Sequence, residues 1–124
     1  MTAEKISAGV AALRQELPDR AVSQLAILLS ELQRWGKRIN LTAILDADEM
    51  VSAHILDSLA VRPHVQGRQV IDIGTGAGFP GLPLAIAEPD IEFTLLDGNG
   101  KKTDSIRLSD YRGKVVYLYF FQDW

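Results

Sequence analysis

The 124 residues suit one compact domain, and 47% hydrophobic with 23% charged residues excludes a disordered or collagen-like chain. Without cysteine there is no disulfide, thiolate metal site or cysteine nucleophile, and two histidines offer too few ligands for a metal, so none is expected. A net charge of −3 gives no global attraction for nucleic acid; such contact requires a local basic patch.

No apolar run reaches the ~20 residues of a membrane helix, and residues 1–16 mix charges into a helical pattern instead of a signal-peptide core. A soluble, cytoplasmic protein without membrane contact is expected. Ile6, Val10, Leu13 and Leu17 recur at helical spacing until Pro18-Asp19 interrupts them. A second helix follows, with Ala21, Val22, Leu25, Ile27, Leu28, Leu29 and Leu32 as a broad apolar face and an end near Gly36, after a last turn carrying Arg34 and Lys37. Asp46 to Val61 is a third helix, with Met50, Val51, Ile55, Leu59 and Ala60 at core spacing, acidic residues at its start and Pro63 closing it.

From Arg68 the period changes. Gln69–Ile73 predicts a strand, Gly74 to Gly78 a turn, Pro80 to Ala87 a helix and Ile91 to Leu96 another strand, which together make a β-α-β unit. Residues 97–104 form a polar loop, and Lys114 to Phe121 has strand character. That last strand alternates Val115, Tyr117 and Tyr119 with Val116, Leu118 and Phe120, so it can complete a three-stranded sheet.

The run Val70-Ile-Asp72-Ile-Gly74-Thr75-Gly76-Ala-Gly78 puts alternate glycines between a strand and a helix. Such glycines let the backbone turn sharply and approach a ligand, while the helix start supplies free N–H groups. The spacing is G-x-G-x-G, the form associated with S-adenosylmethionine (SAM) enzymes, whereas dinucleotide sites use G-x-G-x-x-G. Asp97, at the end of the next strand, stands where a carboxylate accepts hydrogen bonds from ribose hydroxyls. The bland alternative is a purely structural turn; the ordered series of strand, glycines, helix, strand and acid favours a cofactor site.

The segment from Asp72 to Ile86, with Asn40-Leu41-Thr42 and His54-Ile-Leu-Asp57-Ser58 upstream and Phe93 to Asp97 and Lys101-Lys102 downstream, resembles the RsmG (GidB) family of small-subunit rRNA guanine-N7 methyltransferases. The resemblance implies an α/β fold in which N-terminal helices (1–64) pack on a truncated Rossmann-like SAM-methyltransferase sheet (65–102). It further implies SAM as cofactor and a guanine of 16S rRNA in the small ribosomal subunit as acceptor. By position, Gly74, Gly76 and Gly78 would approach the methionine part of SAM, flanked by Asp72, Thr75 and Phe79, and Asp97 would hold the ribose. His54 and Asp57 would either border the cofactor pocket or only brace the glycine turn. Arg34, Lys37 and Arg38 would either meet rRNA phosphates or form a solvated helix end. Guanine N7 is itself a nucleophile, so no catalytic base is expected.

Residues 103–124 fit that family less well. Ile106 to Trp124 resembles the opening of a thioredoxin-like or peroxiredoxin-like domain, without the redox cysteines. A truncated or chimeric chain is the expectation, either as an enzyme-derived domain or as a noncatalytic SAM-binding or structural module.

Overall fold

The computed structural model describes residues 1–39, 44, 46–96 and 115–118, with 37–39 and 115–118 described through their backbone alone. Helix α1 (Thr2–Ala12) buries Ile6 and Val10, which lie one turn apart. It ends sooner than the apolar spacing predicts. The chain leaves the helix at Arg14, whose φ is +55°, and Leu13 and Leu17 reach the core from outside it.

Helix α2 (Ala21–Ile39) buries Ala21, Leu25, Leu29, Leu32 and Gly36 at steps of three or four residues, one stripe along its length. Two expectations need correction here. Ile27 is 62% exposed, because it falls on the opposite side from that stripe. Gly36 does not end the helix: it is buried within it, and the packing of the stripe outweighs the ~1 kcal/mol an interior glycine costs.

Asp46 caps the third helical region by accepting the amides of Asp48 and Glu49, both at 3.0 Å. Helix α3 (Ala47–Met50), a π-helical stretch (Val51–Leu56) and helix α4 (Asp57–Ala60) then follow without a break. Met50, Val51, Ile55 and Leu59 are buried as the spacing predicts, whereas Ala60 is exposed. A 3₁₀ turn (Arg62–His64) containing Pro63 closes the rod.

Arg62 ties three segments together. Its Nε donates to Glu88 Oε1 at 2.7 Å, and a terminal nitrogen donates to the Glu16 carbonyl, also at 2.7 Å. Both side chains of the pair are largely shielded from water. Arg62→Met is therefore expected to lower unfolding free energy by about 1–2 kcal/mol in a urea titration. A surface pair would give nearly no change.

Strands β1 (Gln69–Ile73), β2 (Glu92–Leu96) and β3 (Val115–Leu118) make a parallel sheet in the order β2-β1-β3. The strand expected near the end of the chain thus does complete the sheet. Ile73 stands opposite Leu96 on one side and Leu118 on the other, so β1 is central. Helix α5 (Gly81–Ala87) packs against β2 and also touches α2 and α4. One core joins Ile6, Val10, Leu25, Leu29, Leu32, Met50, Ile55 and Leu59 to Ala87 of α5, with Ala77 and Phe79 partly buried against it. The glycine turn is consequently clamped between helices and sheet.

Candidate cofactor site

The turn leaves the carboxyl end of the central strand. The chain passes from β1 to β2 on one side, while β3 lies on the other, so the strand order reverses at β1. In open parallel sheets, that reversal opens a crevice beyond the strand ends where ligands bind.

Three glycines shape the turn, with φ of +74° at Gly74, +57° at Gly76 and +101° at Gly78. The amides of Gly74 and Thr75 both donate to the Leu96 carbonyl, at 2.7 and 3.1 Å, which pins the turn to the end of β2. The amides of Gly78 and Phe79 donate to the Thr75 carbonyl at 3.0 and 3.1 Å. Gly76 is exposed, and a Cβ there would meet nothing within 4 Å. Gly78 differs: a Cβ would strike Leu82.

Asp72 organises the turn from beneath. It is 1% exposed, and its Oδ2 accepts both the Thr75 hydroxyl at 2.7 Å and the Gly81 amide at 2.9 Å. Burial pushes its carboxyl above the usual range, and the hydrogen bonds from Thr75 and Gly81 pull it partly back. Its other oxygen, Oδ1, is buried and has no hydrogen-bond partner among the described residues. An acceptor of that kind is costly unless a ligand donor completes it.

Gly81 is the contributor that reading the motif missed. A Cβ there would lie 2.7 Å from Asp72 Oδ2 and 2.7 Å from Leu95 Cγ, so the start of α5 approaches β1 and β2 more closely than any side chain permits. The signal was present as Phe79-Pro80-Gly81, but only the packing reveals why the residue must be glycine.

His54 and the turn do meet. The imidazole stacks on the Phe79 ring with centroids 4.7 Å apart and planes 18° from parallel. Burial holds the His54 pKa below its usual value, and the Asp57 carboxylate pulls it partly back up. Asp57 itself is exposed. The Ser58 hydroxyl donates to the His54 carbonyl at 2.5 Å, next to the π-helical stretch that carries His54.

On α2, Arg34 is exposed and contacts Glu31 at 3.5 Å. The side chains of Lys37 and Arg38 lie outside the described residues, as do Asn40-Leu41-Thr42, Asp97 and Lys101-Lys102. Among the described residues, no three His, Asp or Glu side chains gather as metal ligands, and no helix is long and apolar enough to cross a membrane.

The turn offers a ligand two features: an orphaned buried acceptor at Asp72, and open space over Gly76 where the backbone can be approached. A family model described as GidB, rRNA small subunit methyltransferase G, matches residues 21–108. The protein named ribosomal RNA small subunit methyltransferase G from Serratia proteamaculans (strain 568) is 50% identical over 91 residues, which is 73% of this chain and 44% of that protein. Its namesake from Marinomonas sp. (strain MWYL1) is 47% identical over 100 residues, 81% of this chain and 48% of that protein. A third, from Coxiella burnetii (strain Dugway 5J108-111), is 38% identical over 120 residues, 97% of this chain and 59% of that protein. The matched region therefore runs past Lys102, and the chain spans about half the length of the curated relatives it matches.

Proposed function

Because the chain belongs to the rRNA small subunit methyltransferase G family, we propose that it binds SAM and serves methylation of guanine N7 in 16S rRNA of the small ribosomal subunit, as a cytoplasmic protein. The observation that carries this reading is the glycine turn at the switch point of a parallel sheet, set over a buried aspartate with one acceptor unused. Strands β1 and β2 with α5 then constitute a Rossmann-like cofactor unit over 65–102, and residues 1–64 its helical extension.

In this reading Gly74, Thr75, Gly76 and Gly78 present backbone to the methionine part, and Asp72 Oδ1 accepts from its ammonium. Phe79, braced by the His54 ring, keeps the turn in shape, with Asp57 as the charge beside that imidazole. Asp97, outside the described residues, would hold the ribose hydroxyls. SAM, when bound, supplies an electrophilic methyl group on a sulfonium. Guanine N7 carries an in-plane lone pair, so the protein has no proton to remove from it; its task is to orient the base and exclude water. Arg34, Lys37 and Arg38 supply a local positive patch for rRNA phosphates on a chain whose net charge is −3.

Cofactor binding and methyl transfer are separable in a chain that spans half the length of its relatives. The second reading is a SAM-binding module that transfers nothing. Calorimetric titration with SAM is expected to show saturable binding, weakened at least tenfold by Asp97→Ala through loss of the ribose contact. Transfer of labelled methyl to 30S subunits then distinguishes enzyme from module. A folded chain that binds no SAM defeats both.

A further inference from the structure

Asp72 is the one ionisable side chain buried among the described residues, and its two oxygens are unequal. Oδ2 takes the Thr75 hydroxyl at 2.7 Å and the Gly81 amide at 2.9 Å, while Oδ1 is sealed from water with no donor among the described residues. No ion pair among those residues includes it either. Across the sheet Asp72 is in register with Leu95 of β2 and Tyr117 of β3, while α5 contributes Gly81 and the turn contributes Thr75. Tyr117, whose side chain lies outside the described residues, is the titratable group in that circle. His54 meets the turn through Phe79, and Asp57 is the charge that acts on its imidazole.

A carboxylate so placed has one oxygen without a donor and no described charge of opposite sign beside it, so burial favours the neutral acid. A proton on Oδ1 leaves both bonds to Oδ2 in place, because the carbonyl oxygen of a carboxylic acid still accepts. A cation reverses the preference. An ammonium within hydrogen-bond reach favours the ionised form twice over, by its charge and by the bond it donates. A neutral ligand of the same shape brings no such charge, and the acid keeps its proton.

We propose that binding at the glycine turn is proton-coupled: in the ligand-free chain Asp72 carries a proton on Oδ1, and it releases that proton to solvent when a ligand bearing an ammonium docks. The O–H bond breaks, its electron pair stays on Oδ1 and accepts an N–H of the ammonium, and water takes the proton. The identity of that ligand as SAM rests on the cofactor reading above; the coupling adds to it a selection for cations over neutral ligands and an affinity that falls with acidity. The open space over Gly76 is the approach such a ligand has.

Calorimetric titration of the whole chain with SAM, in buffers of different ionisation enthalpy between pH 4.5 and 7, counts the protons exchanged per ligand; the ligand's α-ammonium stays charged throughout. Release of about one proton per SAM is expected at the acid end, falling away as pH rises, with affinity dropping about tenfold per pH unit wherever release is complete. 5′-Methylthioadenosine keeps the adenosine and lacks the amino-acid part, so its binding should release none, which sets Asp72 apart from an acid that meets the ribose. His54→Gln should keep the full release, and Asp72→Asn should bind SAM weakly with none. Carboxyl-carbon NMR of the ligand-free chain, assigned through the Asp72 backbone and so independent of any variant, should show this carboxyl titrating above the ordinary aspartate range. SAM binding without proton release, equal release with 5′-methylthioadenosine, release that survives in Asp72→Asn, or an Asp72 carboxyl that titrates in the ordinary range would each overturn the coupling and leave the cofactor reading standing. No SAM binding by a chain whose Asp72 titrates high would instead sink the cofactor reading, and the coupling with it.

Discussion

Asp72→Asn is expected to fold as well as the parent protein and to bind SAM at least tenfold more weakly, whereas Asp72→Ala is expected to lose about 2–4 kcal/mol of stability. The contrast follows from both hydrogen bonds converging on one oxygen. Thr75 and Gly81 donate to Oδ2, and an asparagine carbonyl at that place accepts both. Its amide nitrogen then replaces Oδ1, the oxygen with no partner among the described residues. The fold keeps its two bonds, and the site exchanges an acceptor for a donor, which would face the proposed ammonium unfavourably. Alanine instead strands a hydroxyl and a backbone amide in the interior.

The same pair of variants tests the titration. Burial raises the Asp72 pKa in the fold, so the native state holds this proton more tightly than the unfolded chain does. The Asp72 contribution to stability is therefore fully present below its unfolded pKa, about 4, and is lost as pH rises through the raised folded value. Asparagine carries no such slope. Denaturant titrations of parent and Asp72→Asn at pH 4, 5.5 and 7 should show the gap shifting in favour of asparagine as pH rises. A gap that shifts the other way would mean that the carboxylate is better solvated by the turn than its burial implies.

Gly81→Ala and Gly76→Ala should part company even though they sit five positions apart in one motif. At Gly81 the new methyl overlaps Asp72 Oδ2 and Leu95, and neither can retreat without breaking the hydrogen bonds to Oδ2 or shifting β2. A loss of about 1–3 kcal/mol is expected, the usual cost of overpacking. At Gly76 nothing lies within 4 Å, so the cost is limited to holding alanine at φ +57°, about 1 kcal/mol. The methyl there projects into the space proposed for the cofactor, and SAM affinity should fall at least tenfold while most of the stability remains. Urea unfolding and calorimetry on the two variants decide the matter. Equal effects on stability would contradict the packing, and undiminished SAM binding by Gly76→Ala would remove the turn from the cofactor site.

What the amino-acid order determined by itself is local. The strand Gln69–Ile73, the turn and the start of α5 are legible because glycine and proline restrict the backbone residue by residue, and the helical spacing of Leu25, Leu29 and Leu32 or of Val51, Ile55 and Leu59 needs only neighbours three or four positions apart. The alternate spacing of Gly74, Gly76 and Gly78 belongs to the same class of signal. Tertiary structure decided the rest, where one segment's conformation depends on another's surface. Helix α2 runs through Gly36 because the packing of the buried stripe outweighs the glycine's cost, Ile27 faces water because that stripe is narrower than the apolar composition suggests, and α1 stops at Ala12 although the apolar spacing continues. The π-helical stretch that brings His54 onto Phe79, the glycine demanded at position 81 by β1 and β2, and the unused oxygen of Asp72 arise where residues distant in the chain are forced together, and no periodicity records them.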